Sequence, residues 1–197
     1  AETALIFPDA AKKRRIITAT DIAIAKPDRV LLQHSISDED ISNLRNIRRL
    51  LPNTFVIQLM DDLTSDLPTS HPNFNYGMRE GHVRTIEAIS LCDRLIVSTQ
   101  PLADFYGNFC KDIVVVPNAL EEKMWGHHFK PLQQRSRLRV GWAGAAQHQG
   151  DLAIVTDLLR HYADKVDWIF MGMCPDALRP MVKEFHSFVS YADYPAK

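Results

Sequence analysis

Short apolar runs alternate with helix-spaced segments along most of this chain, and that alternation limits the fold more than any other feature. "DRVLLQHS" (28–35), "TFVIQLM" (54–60), "DRLIVST" (93–99) and "DIVVVPN" (112–118) have the continuous apolar character of buried strands. Between the first two, "SDEDISNLRNIRRLLPN" (37–53) repeats Ile41, Leu44, Ile47, Leu50 and Leu51 at helical spacing. Ser37 or Asp38 can cap its start, and Pro52-Asn53 ends it. "YGMREGHVRTIEAISLC" (76–92) and "QPLADFYGNF" (100–109) read as further helices. Earlier strands are expected near "TALIF" (3–7) and "RRIITAT" (14–20). Alternation of this kind predicts a parallel sheet covered on both faces.

Residues 119–137 break the pattern: they are polar, carry Gly126 and Pro131, and hold no sustained period. They read as a linker. The alternation restarts with a strand over 138–143, a helix over 151–163, a strand over 167–173, a short helix from 175 and a last strand near "FHSFVSY". The expected organisation is an α/β protein of two Rossmann-like parallel-sheet units, 1–118 and 138–197, with the second incomplete. A length of 197 residues accommodates two small domains.

Bulk properties exclude some classes. A net charge of −1 and a pI near 6.8 give no electrostatic footprint for a nucleic-acid partner. "KKRR" (12–15) reads as a solvated turn. No apolar run approaches the roughly 18 residues of a membrane-spanning helix. The start, "AETALIFPDA", lacks a signal peptide's basic and apolar regions, and the missing initiator Met suggests a processed, engineered or fragmentary chain. Cys92, Cys110 and Cys174 are far apart and odd in number, which suits small buried thiols in a reducing compartment, and hence a cytoplasmic protein.

Two stretches can carry chemistry. In "RVGWAGAAQHQGDL" (139–152) a strand runs into a glycine-bearing loop and then a helix. That arrangement aims unpaired backbone N–H groups at an anion. Gly144 stands at the turn, Ala145 and Ala146 add no bulk, His148 can donate to a phosphate or sugar oxygen, and Asp151 is expected to cap the helix. Leu152, Val155, Leu158 and Leu159 are expected to pack that helix on the sheet. A side chain at Gly144 would then occupy the phosphate's approach. The loop equally fits a plain tight turn, and its spacing is neither GxGxxG nor the P-loop. In "MDDLTSDLP" (60–68), Asp61 and Asp62 fall where a parallel strand ends, the edge at which open α/β sheets bind ligands. They can hold a metal, act as a base, bind sugar hydroxyls, or simply bond to nearby backbone N–H groups of a turn. His127-His128 has no third ligand at metal spacing, and Trp125 reads as a packing residue that docks the linker.

The order of these motifs resembles a family. "CDRLIVSTQPLADFYG", "DIVVVPNAL", a linker and "RLRVGWAGAAQHQGDL" look like the middle of a GT-B glycosyltransferase. The likeness is greatest to the bacterial retaining enzymes of glycosyl transferase group 1, in the family-four class. There, a strand ending in "VPNG" crosses to a second domain that opens with "R(V/I)GW(A/S)GS…H…(G/K)D". "MDDLTSDLP" is similar to the "DDDL…DLP" of a subgroup, "WIFMGMCPDAL" to its "lvGxGP" strand and loop, and "VSYADYP" to the strand and "YP" that follow. The resemblance covers about residues 54–197. Ala119, Met173 and Cys174 depart from the family pattern, and the family's later E-x7-E segment would lie beyond Lys197.

The resemblance implies a GT-B-like fold and transfer of a sugar, with retention, from a nucleotide-diphosphate donor to a glycan or lipid-linked acceptor. Gly144, Ala145, His148 and Gly172 would bind the donor, and Asp61 or Asp62 would serve the acceptor. No metal or other cofactor and no nucleic acid are implied. Work at the inner face of a membrane fits the family's habit, and without the acidic segment the isolated chain is expected to be inactive. The rival readings are a non-catalytic Rossmann-like binding or scaffold domain and, behind it, a nucleotide-sugar epimerase.

Overall fold

The computed structural model describes residues 18–34, 37–63, 78–126 and 135–196. The expected strand at 3–7, the basic run at 12–15 and the His127-His128 pair lie outside them. The described chain falls into two compact units, one ending at Pro117 and one beginning at Asn118.

The first unit runs α1 (Ala19–Ala25), β1 (Arg29–Gln33), α2 (Asp38–Leu50), β2 (Phe55–Met60), α3 (Met78–Ser90), β3 (Arg94–Val97), α4 (Gln100–Tyr106) and β4 (Ile113–Val115). Its strands pair in parallel in the order β1-β2-β3-β4. Parallel pairing requires the crossover helices that the sequence spacing predicts. Helix α2 shows why that spacing folds locally. Ser37 accepts from the Asp40 N–H, while Asp40 accepts from the Ser37 N–H, a reciprocal cap. Three acidic residues open the helix and Arg48 and Arg49 close it, matching the backbone dipole. Ile41, Leu44 and Ile47 form its buried stripe.

The strand expected at 14–20 is not observed in its described part. Thr18 and Asp21 form the same reciprocal cap, and the chain enters helix α1 at Ala19. A threonine followed three residues later by a carboxylate is a helix start, and it prevails over the apolar pair before it.

Val56, Gln58 and Met60 of β2 are buried, whereas Phe55, Ile57 and Leu59 are only partly so. Val56 belongs to a core with α1, α2 and Ala88 of α3, and Met60 to one with Ile89 of α3, β3 and α4. Among the described residues the helices therefore pack on one face of this sheet, where both faces were expected to be covered. Each Val, Leu, Ile or Met side chain fully buried in these cores contributes about 1.5–3 kcal/mol of transfer free energy.

The second unit runs α5 (Glu122–Trp125), β5 (Leu138–Gly144), α6 (Gln149–His161), β6 (Val166–Gly172) and β7 (Val182–Ser187). Its strands are parallel, ordered β5-β6-β7. The last strand starts earlier than expected, and the short helix from 175 is a turn followed by one 3-10 turn at Arg179–Met181. The core gathers Leu152, Leu159, Trp168, Phe170 and Leu178. Trp125 packs edge-on against Tyr194, with centroids 5.9 Å apart, and so anchors α5 within the unit. All three cysteines are free. Burial pushes the Cys92 thiol up to about 12, which leaves it a neutral packing group.

Candidate functional site

Gly144 and Gly172 stand opposite each other at the carboxyl ends of β5 and β6. The Met173 N–H donates to the Gly144 carbonyl at 3.0 Å, which turns that carbonyl inward across the next strand. Gly172 has φ +94°, and a Cβ there would sit 2.4 Å from the Gly144 oxygen. Only glycine meets both conditions. Gly144 is bare for a different reason. A Cβ at 144 would lie 2.7 Å from Cζ2 of Trp142, two residues earlier on the same face of the strand. The indole itself packs on Phe170 at 5.2 Å between centroids. The expectation that a side chain at 144 would fill a phosphate's approach is therefore corrected: it would first meet the Trp142 ring.

A cavity of roughly 200 Å³ opens at this mouth. Gly144, Ala145, His148 and Gly172, the residues singled out in the sequence, all line it. Met171, Phe188, Val189 and Tyr194 complete the wall and were not anticipated. For Phe188 and Tyr194 the signal was the aromatic run "FHSFVSYADY", which begins in β7 and continues past its end, where Phe188 is 70% exposed. A 3-10 turn at Ala146–His148 leads directly into α6, so the helix N-terminus borders the cavity. Asp151 is not the cap. His148 occupies that position without a side-chain capping bond, and Asp151 lies inside the first turn. The carboxylate instead accepts from His148, with Nδ1 and Oδ2 2.8 Å apart. Leu152 and Leu159 are buried as expected, but Val155 and Leu158 face outward. One narrow stripe of α6 meets the sheet.

The mouth of the first sheet is different. Asp61 and Asp62 follow β2, and His34 follows β1. The pairing of Gln33 with Leu59, and a bond from the His34 N–H to the Leu59 carbonyl at 3.1 Å, bring the two strand ends together. There His34 Nε2 hydrogen-bonds Asp61 Oδ1. This bond, followed by a smaller opposing effect of burial, holds the Asp61 carboxyl below its usual range. The Ser98 hydroxyl donates to the Asp61 carbonyl at 2.9 Å and steadies the loop. His34 takes a left-handed φ of +47°, uncommon for a residue with a side chain. Asp62 is exposed and has no partner among the described residues. The three ligand atoms lie within 4.8 Å of one another, a set able to hold a cation or the hydroxyls of a sugar. Sequence reading missed His34 because its pairing with Asp61 spans 27 residues and no local pattern marks it.

No family model and no curated protein sequence matches this chain. Solved structures do. TarM superposes with a TM-score of 0.56 at 13% identity, over 88% of this chain and 36% of TarM. A Listeria monocytogenes protein assigned as a UDP-N-acetylglucosamine 2-epimerase gives a TM-score of 0.48 at 11% identity, over 89% of this chain and 50% of that one. The fold is GT-B-like. The chain spans at most half the length of these two structures. The likeness to glycosyl transferase group 1 rests on the sequence motifs alone.

Proposed function

We propose that this chain is part of a glycosyltransferase that moves a sugar from a nucleotide-diphosphate donor to a glycan or lipid-linked acceptor. The second unit takes the donor and the first takes the acceptor. One observation carries the reading: Gly144, Ala145, His148 and Gly172 line a single cavity at the carboxyl ends of parallel strands, beside a helix N-terminus. That is the edge at which α/β sheets bind ligands, and helix N-termini favour phosphate. The departing diphosphate gains negative charge as the glycosidic bond breaks. Backbone N–H groups near Gly144 and Ala145 and the start of α6 stabilise that charge. Phe188, largely exposed at the rim, offers an apolar face to the nucleotide's base.

In the first unit, Asp61 and Asp62 accept hydrogen bonds from acceptor hydroxyls, and His34 fixes the Asp61 carboxylate in its ionised form. Retention at the anomeric carbon follows from the motif resemblance. The reading is tested by calorimetric titration with UDP, GDP and their sugars. We expect saturable binding of one nucleotide, weakened at least tenfold by Gly172→Val. Indifference to all of them sinks the donor site and leaves a scaffold domain.

A further inference from the structure

We propose that Asp151 is a positioning residue for His148, and that a phosphate bound in the second unit's cavity draws a proton onto the His148 ring. The inference rests on reading that cavity as a nucleotide-diphosphate site. His148 lines it, and its Nδ1 lies 2.8 Å from Asp151 Oδ2. An ionised carboxylate only accepts, so Nδ1 carries the proton. In the neutral ring Nε2 is then a bare lone pair, and it has no partner among the described residues. A phosphate oxygen is also only an acceptor. The two cannot bond until the ring gains a second proton, after which Nε2–H donates to the phosphate and Asp151 stands as counter-ion to the imidazolium.

A ribose or sugar hydroxyl behaves differently, because it donates to neutral Nε2 with no proton taken up. The pair therefore distinguishes a phosphate from a hydroxyl by its protonation. The surroundings add little charge of their own. Tyr194, from the segment after β7, is the one other titratable side chain on the described wall. Met171 and Gly172 of β6, Phe188 and Val189 after β7, and Ala145 after β5 carry none. His148 is 51% exposed, so solvent can supply the proton.

The experiment is calorimetry of UDP, GDP and uridine binding at pH 8, above the ordinary histidine range. Each titration is run in two buffers of different ionisation enthalpy. We expect uptake of more than about half a proton per diphosphate bound and almost none with uridine. His148→Gln abolishes the uptake. Asp151→Asn keeps a hydrogen-bond acceptor but removes the charge, and it lowers both the uptake and, by about three- to tenfold, the affinity. Diphosphate binding without proton uptake, or equal uptake by His148→Gln, overturns the inference while leaving the donor site standing. Failure of both diphosphates to bind removes the donor site itself and the uptake with it. The ring nitrogens of His148 give an independent check by ¹⁵N NMR of the free protein. A neutral ring protonated on Nε2 rather than Nδ1 overturns the role of Asp151 whatever the titrations show.

Discussion

Where β1 and β2 end, the first unit presents an imidazole and two carboxylates; where β5 and β6 end, the second presents two glycines. The strands behind both mouths are parallel and sequentially ordered, so architecture does not distinguish them. Chemistry does. A diphosphate is repelled by unpaired carboxylates, and at the first mouth Asp62 has no cationic partner among the described residues. At the second mouth the wall holds small-residue backbone, a helix N-terminus, Tyr194 and His148, and the carboxylate of Asp151 is paired with that histidine, a setting better suited to an anion. Under the proposed function, the bare mouth would take the donor's diphosphate and the charged mouth the acceptor's hydroxyls. The proposed assignment of donor to one unit and acceptor to the other follows from that division.

The comparison breaks most visibly at Gly172. Alanine there must take φ +94° and place a Cβ 2.4 Å from a backbone oxygen that is itself held by the Met173 N–H. Backbone strain of this kind costs about 1–3 kcal/mol, and the clash adds to it. We expect Gly172→Ala to lose about 3 kcal/mol in urea unfolding of the second unit and to abolish nucleotide binding. A loss below about 0.5 kcal/mol would mean that the two strand ends separate easily and that the cavity is not a preformed site.

Gly144 sharpens the same comparison with a smaller effect. Its clash is with the ring of Trp142, a side chain that can shift. Gly144→Ala should cost about 1–2 kcal/mol, as overpacking does. Trp142→Leu in the same molecule should return most of that loss, giving a coupling of about 1 kcal/mol in a double-mutant cycle. Absence of coupling, with nucleotide binding still weakened, would restore the view that the glycine is bare for the ligand rather than for the indole.

The difference between the mouths was partly legible in the sequence. Local signals succeeded where one segment determines its own structure: the Ser37 cap and the β2 and β5 runs stand where the residues placed them. They failed where a distant neighbour decides. His34 reaches Asp61 only through the register that sets Gln33 beside Leu59. Phe188 joins the cavity because β7 pairs with β6 and carries the chain past Gly172. Asp151 looked like a cap because aspartate favours that position. The 3-10 turn before it starts the helix two residues sooner and frees the carboxylate for His148. Val155 and Leu158 sit at helical spacing but outside the stripe that this short sheet contacts.

The smallest expected effect tests whether the charged mouth is built or incidental. His34 lowers the Asp61 pKa, so the folded state binds that proton less tightly than the unfolded chain does. The stabilisation is thus present above the ordinary carboxylate range near about 4, and it is lost as pH falls through the lowered folded value. Asp61 is 37% exposed, and solvent screening keeps the contribution below about 1 kcal/mol. Urea unfolding of the wild type and His34→Ala tests it, because every titrating group except His34 is common to both proteins. The wild type should be the more stable by a few tenths of a kcal/mol at pH 5–6, and the gap should narrow steadily towards pH 3. A gap that is constant across this range would assign the cost of the substitution to lost packing and the left-handed backbone at residue 34. The carboxylate at the first mouth would then owe nothing to its histidine, and the contrast between a charged mouth and a bare one would rest on Asp61 and Asp62 alone.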